Sequence, residues 1–288
     1  MIFYLTTVNR EYKDRVFKFL FGNPENREWT LALYNAINGS NYDNPNDIQF
    51  NTIEDAVYLG MKNDASFIIV NSLSVWEHQS SYNPNVPMRF FIYAAKLYEK
   101  YIATSNYNPY SSKLQKVPCP KCICFYNGTE DQPDNKVLRL SDAFDGEADI
   151  EVQVTMLNIN YGKNRLLMEA CKPLQEYAWL VDTIRRHQDN EKNLEMAIDA
   201  TLNEMPEDFL IRKFLLSNKA EVKGMFLTEY NQEKVLEMER LEAVNDDRKR
   251  VATDMLRENL PLSLIAKISK LSEDAISNIA KTLGLSIM

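Results

Sequence analysis

Histidine is nearly absent from this chain: only His78 and His187 occur among 288 residues. Cysteine is scarce too, with Cys119, Cys122, Cys124 and Cys171 making up all 4. Cys119-Pro-Lys-Cys122 has the spacing of a zinc half-site or a redox pair. No second CxxC exists, and the only histidines are His78 and His187, so a four-ligand zinc site would have to be improvised. The cysteines read instead as buried or half-buried thiols, three of them clustered on one strand. No apolar run approaches the ~20 residues that a bilayer-spanning helix needs. Met1-Ile-Phe-Tyr-Leu5 lacks the basic start and long apolar centre of a signal peptide, so a cytoplasmic chain without a membrane segment is expected. Positive charge is short as well, 33 Lys and Arg against 41 Asp and Glu, for a net charge of −8. Dedicated nucleic-acid binders are usually basic. Any contact with DNA must therefore use a local patch, be transient, and weaken as salt rises. Glycine nearly vanishes in the second half, where Gly224 and Gly284 are the only ones after Arg165.

What is present is an ordinary globular composition, 45% hydrophobic and 26% charged. A chain this long can bury a substantial core. The stretch from Gly60 to Gln79 is its most informative part. Ser66-Phe-Ile-Ile-Val70 and Leu73 to Gln79 read as two strands of a hairpin, with Asn71-Ser72 as turn chemistry between them. Asp64 precedes the first strand and Glu77 lies near the end of the second. In an antiparallel pairing whose register places Val70 opposite Asn71, they lie side by side. Gln79 follows Glu77 by two residues and so projects from the same sheet face, whereas His78 points to the other. Two carboxylates and an amide converging at one end of a hairpin suit a hard divalent cation, which takes oxygen ligands.

Around the hairpin the pattern is mixed. Asn9 to Gly22 and Asn26 to Asn38 read as helices, the first with Asp14 and Lys18 four apart on one side. Ile48 to Tyr58 reads as a strand leading toward the hairpin. Met88 to Ile102 reads as a helix, with Arg89 and Tyr93 on its first turns close to the loop that leaves Gln79. Strands are expected at 116–127, 137–140 and 152–159, with prolines 118 and 120 confining the start of the first to an edge or an irregular stretch.

Asp64 followed by Glu77-x-Gln79 resembles the PD-(D/E)XK nuclease signature, with glutamine where lysine usually stands. Asp14-Arg-Val-Phe-Lys-Phe-Leu-Phe-Gly22, Arg89-Phe-Phe-Ile-Tyr93 and Ile123-Cys-Phe-Tyr-Asn-Gly128 extend the likeness. Together they resemble the Rpn family of recombination-promoting nucleases, often labelled transposases, over about residues 10–160. The resemblance implies an α/β fold with a PD-(D/E)XK restriction-endonuclease-like core, a mixed sheet flanked by helices. It implies a Mg2+-dependent DNA endonuclease, Mn2+ able to substitute, linked to DNA recombination or mobile elements. Asp64 and Glu77 would be metal ligands, Gln79 would orient the attacking water, and Asp14 would be a helix-borne acid facing the site. Arg89 would hold a phosphate, and Lys62, on the face of Asp64, would supply part of the charge of the missing lysine. No triad of spaced acids typical of transposase chemistry is present.

From Arg165 onward no strand signal survives. Helices are expected at 166–188, 192–204, 208–216 and, as one or two long ones, 220–257. The chain therefore reads as a nuclease-like domain over 1–162 and an all-helical C-terminal region over 163–288. Its end has helix-turn-helix character: Leu260-Pro261 breaks a helix, Ser263 to Ile268 is short and apolar, and Ser272-Glu-Asp caps a last helix. The charged run 231–250 reads as a solvated helical face, with a partner-binding coiled coil as its alternative. Two rival readings stand beside the enzyme: a silent DNA- or protein-binding scaffold that keeps the nuclease fold, and a helical platform that recruits a partner. A homodimer accords with an enzyme that cuts both DNA strands.

Overall fold

The computed structural model of the chain describes residues 15–50, 65–189 and 193–285. By its contacts the chain divides into two compact units, 1–229 and 230–288. The first is built on a six-stranded mixed sheet, and the second is helical.

Alternating apolar residues make the strands, and the alternation decides which helix each side chain meets. β1 (Gln49–Phe50) and β2 (Ala65–Ile69) are antiparallel neighbours, and β2 pairs antiparallel with β3 (Ser72–Gln79). β4 (Cys119–Tyr126) and β6 (Gln153–Asn158) continue the sheet parallel to β3, and β5 (Asn135–Arg139) closes it antiparallel to β6. The strand order is β1-β2-β3-β4-β6-β5. Parallel neighbours need a crossover, and α3 (Val86–Thr104) supplies it between β3 and β4.

Both faces of the sheet are covered, so β3 is buried along nearly its whole length. Leu73 and Val75 pack with Phe90, Tyr93 and Leu97 of α3. Trp76 faces the opposite layer. There it joins α1 (Arg15–Phe21), α2 (Arg27–Asn38), α4 (Arg165–Ala170), α5 (Lys172–Asp189), α6 (Leu194–Glu204) and α7 (Arg212–Ser217) in one core. Helices α4 to α7 therefore share the sheet's own hydrophobic core. The predicted single helix at 166–188 is two helices: Cys171 leaves the helical conformation, and Pro173 sits in the first turn of α5, where its missing N–H is not needed.

The hairpin register is the one the sequence predicts: Ala65 faces Trp76 and Ile69 faces Ser72. Its turn, however, is Val70-Asn71 rather than Asn71-Ser72, because Ser72 already belongs to β3. Val70 adopts a φ of +54° and is 62% exposed. A β-branched residue in that region is strained. Val70→Gly is expected to raise stability by about 0.5–1 kcal/mol, read as a higher urea midpoint at unchanged slope.

A second buried feature carries a pH dependence. Glu176 of α5 is almost fully buried and accepts the Ile211 N–H at 3.0 Å. Burial pushes its carboxyl above the usual range, against the pull of the Leu210 and Ile211 amides. Between the ordinary and the raised value the folded chain holds a proton that the unfolded chain has lost. Stability from this group is therefore full below the ordinary glutamate range and declines as pH rises through the raised value. Glu176→Gln is expected to melt at or above wild type at neutral pH, with the gap closing on acidification. A pH series of thermal melts reads this.

In the second unit, α8 (Lys219–Arg257) ends beside α9 (Leu262–Ser269) and α10 (Glu273–Leu283). Ala252, Leu256, Ile265, Ile276 and Ala280 form its small core. Lys270 ends α9 with a φ of +58°, and the Ser272 hydroxyl accepts the Ala275 N–H at 3.2 Å to cap α10. Among the described residues, no helix is long and apolar enough to cross a membrane.

Candidate active site

The carboxyl ends of β3, β4 and β6 lie together, because these three strands are parallel neighbours. In parallel sheets this is the edge at which ligands are usually bound. Glu77 is two residues from the end of β3 and Gln79 is its last residue. Both point to the α3 face, opposite to Trp76 and His78. They are 2% and 6% exposed.

Their side chains are joined: the Gln79 Nε2 donates to Glu77 Oε1 at 2.8 Å. The same oxygen meets an Arg89 NH2 group in an ion pair. Arg89 is near the start of α3, just after the loop 80–85, in which the Asn83 side chain accepts the Asn85 N–H at 2.9 Å. Pro87 falls in the first turn of α3, where proline is well tolerated, and helps to fix where the helix begins. A buried carboxylate without a cationic or donor partner costs several kcal/mol, so these partners help Glu77 to sit inside the sheet's covered face.

Of the residues singled out in the sequence, Glu77, Gln79 and Arg89 are brought together. Asp14, Lys62 and Asp64 lie outside the described residues. Tyr93, one turn beyond Arg89, is packed in the apolar layer beneath α3. His78 is on the far face, as its position in the strand predicts. Its ring stacks on Phe17 with centroids 5.0 Å apart, and its Nε2 lies 3.1 Å from the Tyr177 hydroxyl. Tyr177→Phe is expected to cost about 1 kcal/mol of stability while leaving the metal dependence of any activity unchanged. Denaturant melts beside activity assays read both halves of that expectation.

Cys124 of β4 is the register partner of Glu77 and is buried on the same α3 face, whereas the other three cysteines do not add to this site. Cys119 is exposed at the start of β4 and Cys122 is half-buried within it, away from the carboxyl end of the strand. Burial pushes the thiols of Cys122 and Cys171 up to about 12, which keeps them protonated and poor as nucleophiles or metal ligands. Among the described residues, no three His, Cys, Asp or Glu side chains are grouped as a metal site.

Other residues support this edge and carry no motif. The backbone N–H of Asn127 donates to the Gln79 carbonyl at 2.9 Å. Arg185 of α5 donates to the Asn127 carbonyl and, at 3.0 Å, to Asn160 Oδ1. Asn160 in turn donates to the Gly128 carbonyl at 3.0 Å. Lys136 reaches the Tyr82 hydroxyl at 2.9 Å and so ties the loop after β3 to β5. Gly128 has no room for a side chain: a Cβ there would lie 2.5 Å from the Ser80 carbonyl and still nearer the Tyr126 hydroxyl. The asparagine-glycine pair signals a turn in the sequence, but only the fold shows that the turn braces the residue after Gln79. Arg185, in the middle of a helix, gives no sequence signal of its role.

No family model, no curated protein and no solved structure matches this chain.

Proposed function

We propose that this chain is a metal-dependent DNA endonuclease of the PD-(D/E)XK kind, related to the recombination-promoting nucleases that its motifs resemble. The observation that carries the reading is the buried Glu77 carboxylate, joined to the Gln79 amide and drawing a guanidinium to itself at the carboxyl edge of a parallel sheet. That donor set suits Mg2+ or Mn2+: the carboxylate and the amide carbonyl are hard oxygen donors, and the position already attracts positive charge. Glu77 would hold the ion, with Asp64 as the second carboxylate that the motif supplies. A bound divalent ion contributes a water of lowered pKa and a positive charge beside the phosphate.

The chain's own residues do the rest. Gln79 orients the attacking water or a phosphate oxygen through its amide; it cannot take up a full proton near neutral pH, as a lysine in its place could. Arg89 provides planar, paired donors for a phosphate oxygen, and Lys62, two residues before Asp64 in the sequence, would add charge. With a net charge of −8, DNA binding depends on these few cations, is weak, and falls as salt rises. A homodimer would place two such sites on one duplex.

A second reading is favoured by the same ion pair. Glu77 and Arg89 can serve simply to fasten α3 to β3 in a silent scaffold that binds DNA or protein. Supercoiled plasmid incubated with the full chain in Mg2+, Mn2+, Ca2+ or EDTA separates the two. Nicking or linearisation that needs Mg2+ or Mn2+ is the expected result; intact plasmid in every metal supports the scaffold.

A further inference from the structure

We infer that Arg89 is an internal counter-cation that occupies Glu77 until a divalent ion replaces it, and is then released toward the substrate phosphate. This rests on the proposed reading of Glu77 and Gln79 as a metal site. Glu77 sits in the covered face of the sheet with its side chain 3% exposed, so it cannot turn to solvent. Its neighbour Gln79 gives it an N–H but no charge. Arg89 brings a positive charge to it, and that side chain is 31% exposed. The pair is therefore asymmetric. The carboxylate is fixed, while the guanidinium lies near the start of a helix with a path to water.

A divalent ion and a guanidinium compete for the same oxygen. Arg89 meets Glu77 at Oε1, the atom that also takes the Gln79 amide proton. Two cations crowded onto one carboxylate repel each other, so occupancy by one weakens the other. Exchange has a use. Without metal, Arg89 keeps the buried carboxylate neutralised and the fold intact. With metal, its five donors become available at the edge where a phosphate would lie, so phosphate capture follows ion loading.

The test uses the full chain and Mn2+ alone, with free Mn2+ followed by electron paramagnetic resonance. Arg89→Gln is expected to bind Mn2+ about tenfold tighter than wild type, since an opposing charge at this range is removed. Glu77→Gln is expected to bind it at least about tenfold more weakly. In the unmutated chain, Mn2+ is expected to speed phenylglyoxal modification of Arg89, followed by peptide mass; this arm needs no variant to fold. Unchanged or weaker Mn2+ binding in Arg89→Gln, or Arg89 modification that Mn2+ does not speed, overturns the exchange. If Glu77→Gln still lowers affinity in that case, the metal site itself stands. Mn2+ affinity that Glu77→Gln leaves unchanged removes the metal site and the exchange together.

Discussion

Glu77→Gln is expected to lower metal-dependent plasmid cleavage by at least about a hundredfold, because it removes the charge that would hold the ion while keeping the side chain's size. The substitution is mild for the fold. A glutamine carbonyl can still accept the Gln79 amide proton, and Arg89, partly exposed, can turn to water when its partner's charge is gone. Circular dichroism and melting should therefore change little while cleavage is lost. Retained cleavage in this variant would mean that the chemistry lies elsewhere or came from a contaminant.

Phe17→Ala is expected to cost about 3–5 kcal/mol of folding stability, the largest effect of any single side chain argued here. Phe17 is fully buried, and its ring lies 4.9 Å from Phe21, 5.0 Å from His78, 4.7 Å from Phe125 and 5.7 Å from Tyr177. It thereby joins α1 to β3, β4 and α5. Truncation leaves a cavity against the back of the strand that carries Glu77 and Gln79. Phe17→Leu, which fills more of that space, should recover part of the loss. Urea unfolding of the three proteins measures both steps, and a Phe17→Ala midpoint equal to wild type would remove this ring from the account of the core.

The sequence made some of this legible for a plain physical reason. Side-chain direction in a strand repeats every two residues, so the faces of Glu77, Gln79 and His78 follow from spacing alone. The hairpin register followed too, since it is fixed by where the two apolar runs sit. The turn differs from the sequence expectation by one residue: Asn71-Ser72 has the better turn composition, but the fold places the strained Val70 at the bend. Cys171 was read as interior to a helix although Pro173, two residues on, marks a helix start.

Pairing between elements was harder to read. The position of Arg89 on the first turns of α3 put it near the loop after Gln79, and a role toward phosphate was expected of it. Its contact with the Glu77 carboxylate depends on how α3 crosses the sheet, which no local pattern encodes. The same is true of Arg185 and Lys136, whose partners are 25 and 54 residues away in sequence. The helices from α4 to α7 show an amphipathic stripe, but a stripe does not name what it packs against; here it is the sheet's own core. The fold class, a mixed sheet flanked by helices with a helical C-terminal region, was legible because strand and helix signals separate cleanly along the chain.

The proposed activity depends on a divalent ion bound at Glu77. Iron-directed backbone cleavage tests it without any assay of activity. The full chain is loaded with Fe2+ in place of Mg2+, exposed to ascorbate and peroxide, and the fragments are sized. Cuts in β3 beside Glu77 that excess Mg2+ suppresses and Glu77→Gln abolishes are the expected result. Cuts confined to other parts of the chain, or cuts in β3 that survive in Glu77→Gln, would contradict it.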